Sequence, residues 1–220
     1  MKTGAGIRLG YFVGIDESNH GRFPEVFVAV YSSHVPDIMA DSYPKSRVPK
    51  PSSEILGARD FRHIIIPREI GDILQGNVAA TELIVLSEFL SAREDVDSQA
   101  RVSSRAACRL QEPEPLVAIK DGPLDTRVKD YLARAFPEVQ VWAEAKADET
   151  FRIVNIADSL ANQLYHYYSR RRHSRERTKY VSRLITPRIE EYMDILYALG
   201  LLKERVTCTE GAGASARSPS

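Results

Sequence analysis

The order of hydrophobic segments predicts an α/β fold, a mixed five-stranded sheet flanked by helices with an added C-terminal helix. Two apolar segments at 11–15 and 26–31 lie on either side of a polar, glycine-containing turn, which is typical of a hairpin. A third, β-branched segment follows at 61–67, and helical and strand patterns alternate after it. Because strand–helix–strand connections are right-handed crossovers, the later strands are expected to run parallel.

The elements after the third strand follow from hydrophobic periodicity. The segment 79–95 is apolar over a wide arc and predicts a buried helix. Strands are predicted at 114–122 and 138–145, separated by a helix over 124–136. A long helix over 151–171 and a last helix over 187–203 complete the domain. The positions expected to face the core are Leu83, Leu86, Phe89 and Leu90, then Val128, Leu132 and Phe136, then Val154, Ala157, Leu160, Ala161 and Leu164.

Composition fits one ordinary globular domain. The 220 residues are 43% hydrophobic and 27% charged, which predicts a single domain over 1–206. The Pro- and Ser-rich segment 34–60 predicts a long loop that is mobile around 43–53, and the few apolar residues of 207–220 predict a disordered tail. Lys and Arg balance Asp and Glu, so any basic surface must be local. Cys108 and Cys208 have no ligand or redox spacing, and neither a signal peptide nor a membrane span is recognisable. We therefore expect a cytoplasmic protein that does not bind membranes, of unknown oligomeric state.

Carboxylates follow two of the predicted strands. Asp16 and Glu17 end the first strand, and Asp121 ends the strand at 114–122. These strands are expected to be parallel neighbours about 4.8 Å apart, so their terminal side chains would converge at the edge where α/β sheets bind ligands. Neighbouring carboxylates repel each other unless a cation lies between them. For Asp16 and Glu17 the alternative is an ordinary solvated turn.

A fourth carboxylate comes from the long helix or from its approach. Asp158 lies between small residues in "NIADSLAN", where a buried acid needs a partner, although it could instead face solvent. Asp148 lies just before that helix, where an acid can be either a ligand or a cap, and its charged neighbours suggest exposure. The choice between them stays open, with a slight preference for Asp158.

A cluster of oxygen ligands without His or Cys indicates Mg²⁺ or Mn²⁺ rather than Zn²⁺. Mg²⁺ usually completes its coordination with water and phosphate oxygens. The pattern therefore favours phosphoryl chemistry, in which bound ions activate water and stabilise the leaving oxygen.

Three motifs in order resemble the ribonuclease H-like superfamily, whose core has this element order. "GIDESNHGR" is similar to the first-strand motif of type 2 ribonuclease H, which implies metal ligation by Asp16 and Glu17. "VAIKDG" is similar to that family's strand ending in Asp-Gly and implicates Asp121. "KADETFRIVNIADSLAN" resembles the segment holding the last ligand, which would be Asp148, and aligns Ser159 with the family's serine.

The sequence departs from the type 2 pattern at two places. The family's Gly-Arg-Gly loop reads a ribose hydroxyl, whereas the turn here is "SNHG", which weakens the case for recognising a single ribonucleotide in DNA. Asp158 replaces a small neutral residue and resembles a largely uncharacterised branch whose first strand ends in Asp-Glu-Ser and whose helix carries Ala-Asp. In that branch Asp158 would be the ligand.

A basic, tyrosine-containing stretch at 166–183 indicates contact with nucleic acid, since Arg and Lys neutralise phosphates and tyrosines stack on bases. A solvated helix end is the alternative. His20 could move protons or touch the substrate, or could be only a polar turn residue. The predicted nucleic-acid-binding residues are His20, Arg22, Arg170, Arg171, Arg172, Lys179 and Tyr180.

Two functions fit these patterns. The first is a Mg²⁺- or Mn²⁺-dependent endonuclease that hydrolyses phosphodiesters in RNA or an RNA/DNA hybrid, with DNA as a further possible partner. The second is a non-catalytic ribonuclease H-fold protein that binds nucleic acid in a repair or defence assembly. The carboxylates favour the enzyme, because a pure binder has no reason to place acids where phosphate must approach.

Overall fold

The computed structural model describes residues 12–18, 21–32, 59–92, 116–169 and 183–203. Their strands form one six-stranded sheet in the order β5-β4-β1-β2-β3-β6. The strands are β1 (Phe12–Ser18), β2 (Glu25–Ser32), β3 (Arg59–Ile66), β4 (Leu116–Asp121), β5 (Val139–Glu144) and β6 (Arg183–Leu184). The described helices are α1 (Arg68–Ile73), α2 (Val78–Ser91), α3 (Thr126–Ala135), α4 (Ala147–Thr150), α5 (Arg152–Ser169) and α6 (Ile189–Ala198).

The mixed α/β sheet expected from the sequence is confirmed. β1, β2 and β3 pair antiparallel as consecutive strands, whereas β1 with β4 and β4 with β5 pair parallel. The sheet has one strand more than the predicted five, because the two-residue β6 pairs parallel with β3. A strand of two residues is too short to leave a period-2 pattern, so the sequence does not indicate it.

The sheet buries both faces, and residues alternate between them along each strand. Val13 and Ile15 belong to the core beneath α2, α3 and α6, whereas Phe12 and Ile119 belong to the core beneath α5. The core positions expected on the helices are buried, which confirms the predicted inner faces, except that Phe136 is only partly buried where it packs against the core.

Gly14 lets α5 lie unusually close to β1. A Cβ atom at this position would lie 2.6 Å from the carbonyl carbon of Ile153 and 2.7 Å from its oxygen, distances that backbone atoms do not tolerate. The absence of a side chain at Gly14 therefore sets the depth at which α5 packs, and with it the position of the acid on that helix.

Several short or terminal features differ from the sequence prediction. α1 and α4 are too short for hydrophobic periodicity to reveal. The last helix begins at Ile189 and ends at Ala198 rather than covering 187–203, and the N–H of Arg188 before it donates to Glu88 of α2 at 3.0 Å.

No helix in the described ranges is long and apolar enough to cross a bilayer. The predicted 43–53 loop, the 207–220 tail and both cysteines lie outside the described residues.

Candidate active site

Asp16 and Asp121 lie side by side at the carboxyl ends of β1 and β4. The last paired residues of these parallel strands are Ile15 and Lys120, and the two acids come next in each chain segment. Gly14 contacts α5 and Ile119 belongs to the core beneath α5, so by alternation both acids face the α5 side. The predicted neighbourhood of β1 and β4 is thus confirmed.

Asp16 is a buried carboxyl surrounded by other acids. Only 6% of the residue is exposed, and its Oδ1 accepts a hydrogen bond from the Glu17 N–H at 2.7 Å. Burial first, and then the charges of Glu17, Asp158 and Asp121, raise the pKa of Asp16 from 3.8 to about 9, although the Glu17 N–H opposes the shift. Such a convergence of burial and like charge is typical of functional sites.

Three hydrogen bonds fix the side chain and carbonyl of Asp121 and the backbone N–H of Gly122 after it. Its Oδ1 accepts from the Ala147 N–H at the start of α4, at 2.6 Å. Its carbonyl accepts from the Lys120 ammonium at 2.6 Å, and the N–H of Gly122 donates to the Glu144 carbonyl at 2.9 Å. Gly122 has φ +80°, a left-handed conformation that glycine adopts without strain. These bonds hold the Asp121 carboxylate between β1 and the start of α4.

The two candidates for the fourth acid lie on the same side of the sheet but in different surroundings. Asp158 is partly buried on α5, and its charge is one of those that raise the pKa of Asp16. Asp148 is only 2% exposed, so the exposure expected from its charged neighbours was wrong. The reason is that the hydrogen bond from the Ala147 N–H to Asp121 holds α4 against the end of β4. The local sequence cannot reveal this contact between distant segments.

Glu17 faces the other side of the sheet. It pairs with Phe27, a member of the core beneath α2 and α3. On that side a pocket of about 440 Å³ opens at the strand ends. Its lining residues are Glu17, Val78, Ala79, Glu82, Lys120, Gly122, Pro123, Leu124 and Asp125. Glu17 therefore links the pocket to the acids on the α5 side.

The sequence analysis did not find the ion pair in the floor of this pocket. The Lys120 ammonium lies 2.9 Å from Oε1 of Glu82 on α2, and both side chains are almost wholly buried. A lysine inside the apolar strand "LVAIKD" was the available signal, since a buried cation needs a partner. Nothing in the pattern of α2 indicated which acid would provide it.

The acids do not form a finished metal site. Within the described ranges, no group of three or more His, Cys, Asp or Glu side chains is placed so that it could hold a metal ion. The donor set nevertheless fits a hard divalent cation, because it consists of oxygens and because like charges meet at Asp16. Asp16, Glu17, Asp121 and Asp158 would be its ligands, with Asp148 next to them.

Most of the predicted nucleic-acid-binding residues lie outside the described ranges. These are His20, Arg170, Arg171, Arg172, Lys179 and Tyr180. Arg22 is exposed in the turn between β1 and β2. At the end of α5, where the basic stretch begins, the Tyr168 hydroxyl lies 3.0 Å from Nε2 of His63 on β3. This contact connects the end of α5 to β3.

Comparisons with known proteins include a solved structure that aligns with most of this chain. No family model matches the chain, and no curated protein sequence matches it either. A structure of the PCNA:RNase HII complex from Archaeoglobus fulgidus aligns with 87% of this chain and 91% of that chain, with a TM-score of 0.37 and 19% sequence identity. At that identity and TM-score the likeness carries no argument about activity.

Proposed function

We propose that the protein is a Mg²⁺- or Mn²⁺-dependent endonuclease that hydrolyses phosphodiester bonds in RNA or in an RNA/DNA hybrid. The observation that carries the proposal is the register that places Asp16 and Asp121 side by side at the ends of β1 and β4, with the charges of Glu17 and Asp158 also acting on the buried Asp16 carboxyl. Structural ion pairs place opposite charges together, whereas this arrangement places like charges together, which is costly without a cation.

The position of each acid determines the role that we propose for it in binding the cation. Asp16 and Asp121 would anchor the cation, since their strands fix both backbones and Ala147 fixes one Asp121 oxygen. Asp158 would complete the α5 side, and Glu17 would close the side next to the pocket. When bound, a divalent cation supplies the positive charge that phosphate needs to approach this acidic edge. The basic stretch at 166–183 and Arg22 would bind the flanking phosphates.

The second candidate function is nucleic-acid binding without cleavage, and the placement of the acids favours it. In the described part of the chain, no group of three or more acids is placed so that it could hold a metal ion. A protein that binds nucleic acid without cleaving it would not need acids that hold a metal ion together. It would, however, gain nothing from the like charges at Asp16.

Manganese binding and cleavage together test the proposal. Mn²⁺ at 100 times its dissociation constant should stabilise the wild-type protein by about 2.7 kcal/mol in thermal unfolding. Asp16→Asn should lose both this stabilisation and the cleavage of labelled RNA, hybrid or DNA duplexes. Asp72→Asn is a matched control, since it makes the same change at an exposed position on α1. Nucleic-acid binding without Mn²⁺-dependent cleavage in the wild type would favour the non-catalytic binder.

A further inference from the structure

Trp142 is a large aromatic residue that β5 exposes to solvent, with 41% of its surface accessible. β5 is an outer strand of the sheet, next to β4. Trp142 pairs with Ile119, which belongs to the core beneath α5. The indole therefore lies on the α5 side of the sheet, the side that Asp16 and Asp121 also face.

The indole is held by a buried ring just before α5. The ring centroids of Trp142 and Phe151 are 6.3 Å apart, with an angle of 51° between the ring planes. Phe151 is only 7% exposed and belongs to the core beneath α5. Because this contact orders the indole in the free protein, a ligand that stacks on its exposed surface has little side-chain entropy to remove.

Trp142 lies close to the acids at the carboxyl ends of the strands. Asp121 pairs with Glu144, which follows Trp142 by two residues on the same face of β5. Adjacent strands are about 4.8 Å apart and each residue rises about 3.3 Å, which places the Cα atoms of Trp142 and Asp121 about 8 Å apart. A nucleotide spans a similar distance between its phosphate and its base. A phosphate held at Asp121 can therefore bring its own base over the indole.

The surroundings of the indole suit a single base better than a protein. Its neighbours on the same face of β5 are Gln140 and Glu144, both exposed and neither a cation. One aromatic ring between polar side chains is far smaller than a stable protein interface, which buries about 800 Å² on each partner. The surface of one base, which is flat, apolar and uncharged, matches the exposed indole.

We propose that Trp142 is a stacking platform for an unpaired base of the nucleic-acid substrate, in the nucleotide whose phosphate is held at Asp121. The inference rests on the proposed function and adds a binding subsite to it. Every base has a π-face, so the platform contributes affinity and position rather than sequence preference. The base must be unpaired, because the bases inside a duplex cover each other's faces.

Intrinsic fluorescence tests the platform separately from cleavage. The chain contains a single tryptophan, so tryptophan emission reports on Trp142 alone. A short single-stranded thymidylate oligomer in Mg²⁺ buffer should bind, as measured by the anisotropy of a labelled copy, and should quench the emission of the wild-type protein. An abasic oligomer of the same length carries the same phosphates without bases and should not quench. A long blunt duplex should not quench either.

Two substitutions at the platform separate stacking from packing. Trp142→Phe and Trp142→Leu both leave an apolar side chain against Phe151, but only phenylalanine offers a ring to the base. Trp142→Leu should weaken binding of the oligomer about 5- to 150-fold, which corresponds to about 1–3 kcal/mol for one stacked base. Trp142→Phe should retain most of the affinity. Ile73→Ala is the control, because Ile73 is similarly exposed, at 43%, but lies on α1.

The outcomes distinguish the platform from the nuclease. Oligomer binding without quenching, equal quenching by the abasic oligomer or the duplex, or equal affinities of Trp142→Leu and Trp142→Phe would each overturn the platform. Thermal melts of both variants verify that they fold. Quenching by the thymidylate oligomer without cleavage of any substrate would count against the nuclease proposal alone and would leave the platform standing.

Discussion

Asp16 and Asp121 occupy equivalent positions on adjacent parallel strands, each one residue beyond the last paired residues, Ile15 and Lys120. This register brings two carboxylates to one edge of the sheet on one face. Burial of Asp16, and then the like charges of Glu17 and of Asp158 on α5, raise the pKa of its carboxyl. The predictions below test what that relationship does and what maintains it.

The fourth acid can be identified by paired substitutions. Asp158→Asn should abolish cleavage and should preserve or raise the thermal stability of the metal-free protein, because it removes a charge that acts on Asp16. Asp148→Asn should reduce cleavage less. Cleavage assays and thermal melts of both variants provide the measurement. Full activity in Asp158→Asn with an inactive Asp148→Asn would instead assign the ligand to Asp148, as the type 2 ribonuclease H resemblance implies.

The metal-free protein should lose stability as the pH rises. An unfolded aspartate titrates near 3.8 and the folded Asp16 near 9, so between these values the folded state retains a proton that the unfolded chain has released. The free energy of unfolding therefore falls as pH increases through this window, by at most about 1.4 kcal/mol per pH unit for one proton.

Urea unfolding across this pH window measures the effect. Asp16→Asn should have a flatter pH dependence than the wild type, because the titrating group is gone. Asp72→Asn, at an exposed position, should follow the wild type. Parallel curves for all three proteins would mean that Asp16 titrates near its ordinary pKa.

Gly14→Ala should disturb the packing of α5 on β1. The added methyl group would lie 2.6 Å from a backbone atom of Ile153, which cannot move without shifting the helix. Overpacking of this kind costs about 1–3 kcal/mol of unfolding free energy. Because Asp158 lies on the shifted helix, the Mn²⁺-induced rise in melting temperature should also shrink.

Gly71→Ala serves as the comparison for that substitution. Its methyl group would meet the ring of Phe23, which is a side chain rather than backbone, and alanine is favoured over glycine within a helix. We expect an unchanged Mn²⁺ response in this variant. A normal Mn²⁺ response in Gly14→Ala would separate the depth of α5 from the geometry of the site.

Lys120→Met should destabilise the protein by about 3–5 kcal/mol, because it leaves the buried Glu82 carboxylate without its cation. Adding Glu82→Leu should restore most of the loss, since apolar replacement of both partners is often neutral. Urea unfolding of the single and double variants measures this. A double variant no more stable than Lys120→Met would show that the ion pair is not the reason for the loss.

Replacing Arg170, Arg171 and Arg172 together by alanine should weaken nucleic-acid binding. The slope of log affinity against log salt concentration should decrease by about 1 for each arginine that contacts a phosphate. The Mn²⁺ response should stay unchanged. The double variant Lys129→Ala/Arg134→Ala removes exposed cations from α3 and is the control. An unchanged salt slope in the triple variant would exclude the basic stretch from the interface.

The sequence alone determined the elements that have strong periodicity. The positions of β1, β4 and α5 follow from apolar runs and helical spacing, and the crossover rule makes β1 and β4 neighbours. From that neighbourhood it follows that Asp16 and Asp121 meet, as the register confirms. Local pattern was sufficient here because strand ends, turn glycines and inner helix faces are properties of consecutive residues.

Tertiary structure decided the features that depend on contacts between distant segments. Asp148 is buried because the N–H of Ala147 binds Asp121, and Glu82 became the partner of Lys120 because α2 packs over the end of β4. Because side chains alternate along β1, Asp16 faces the α5 side and Glu17 faces the pocket side. Which residues surround each acid depends on the helices that pack on that side of the sheet. Burial and charge pairing are sums over neighbours in space, and a sequence lists neighbours only along the chain.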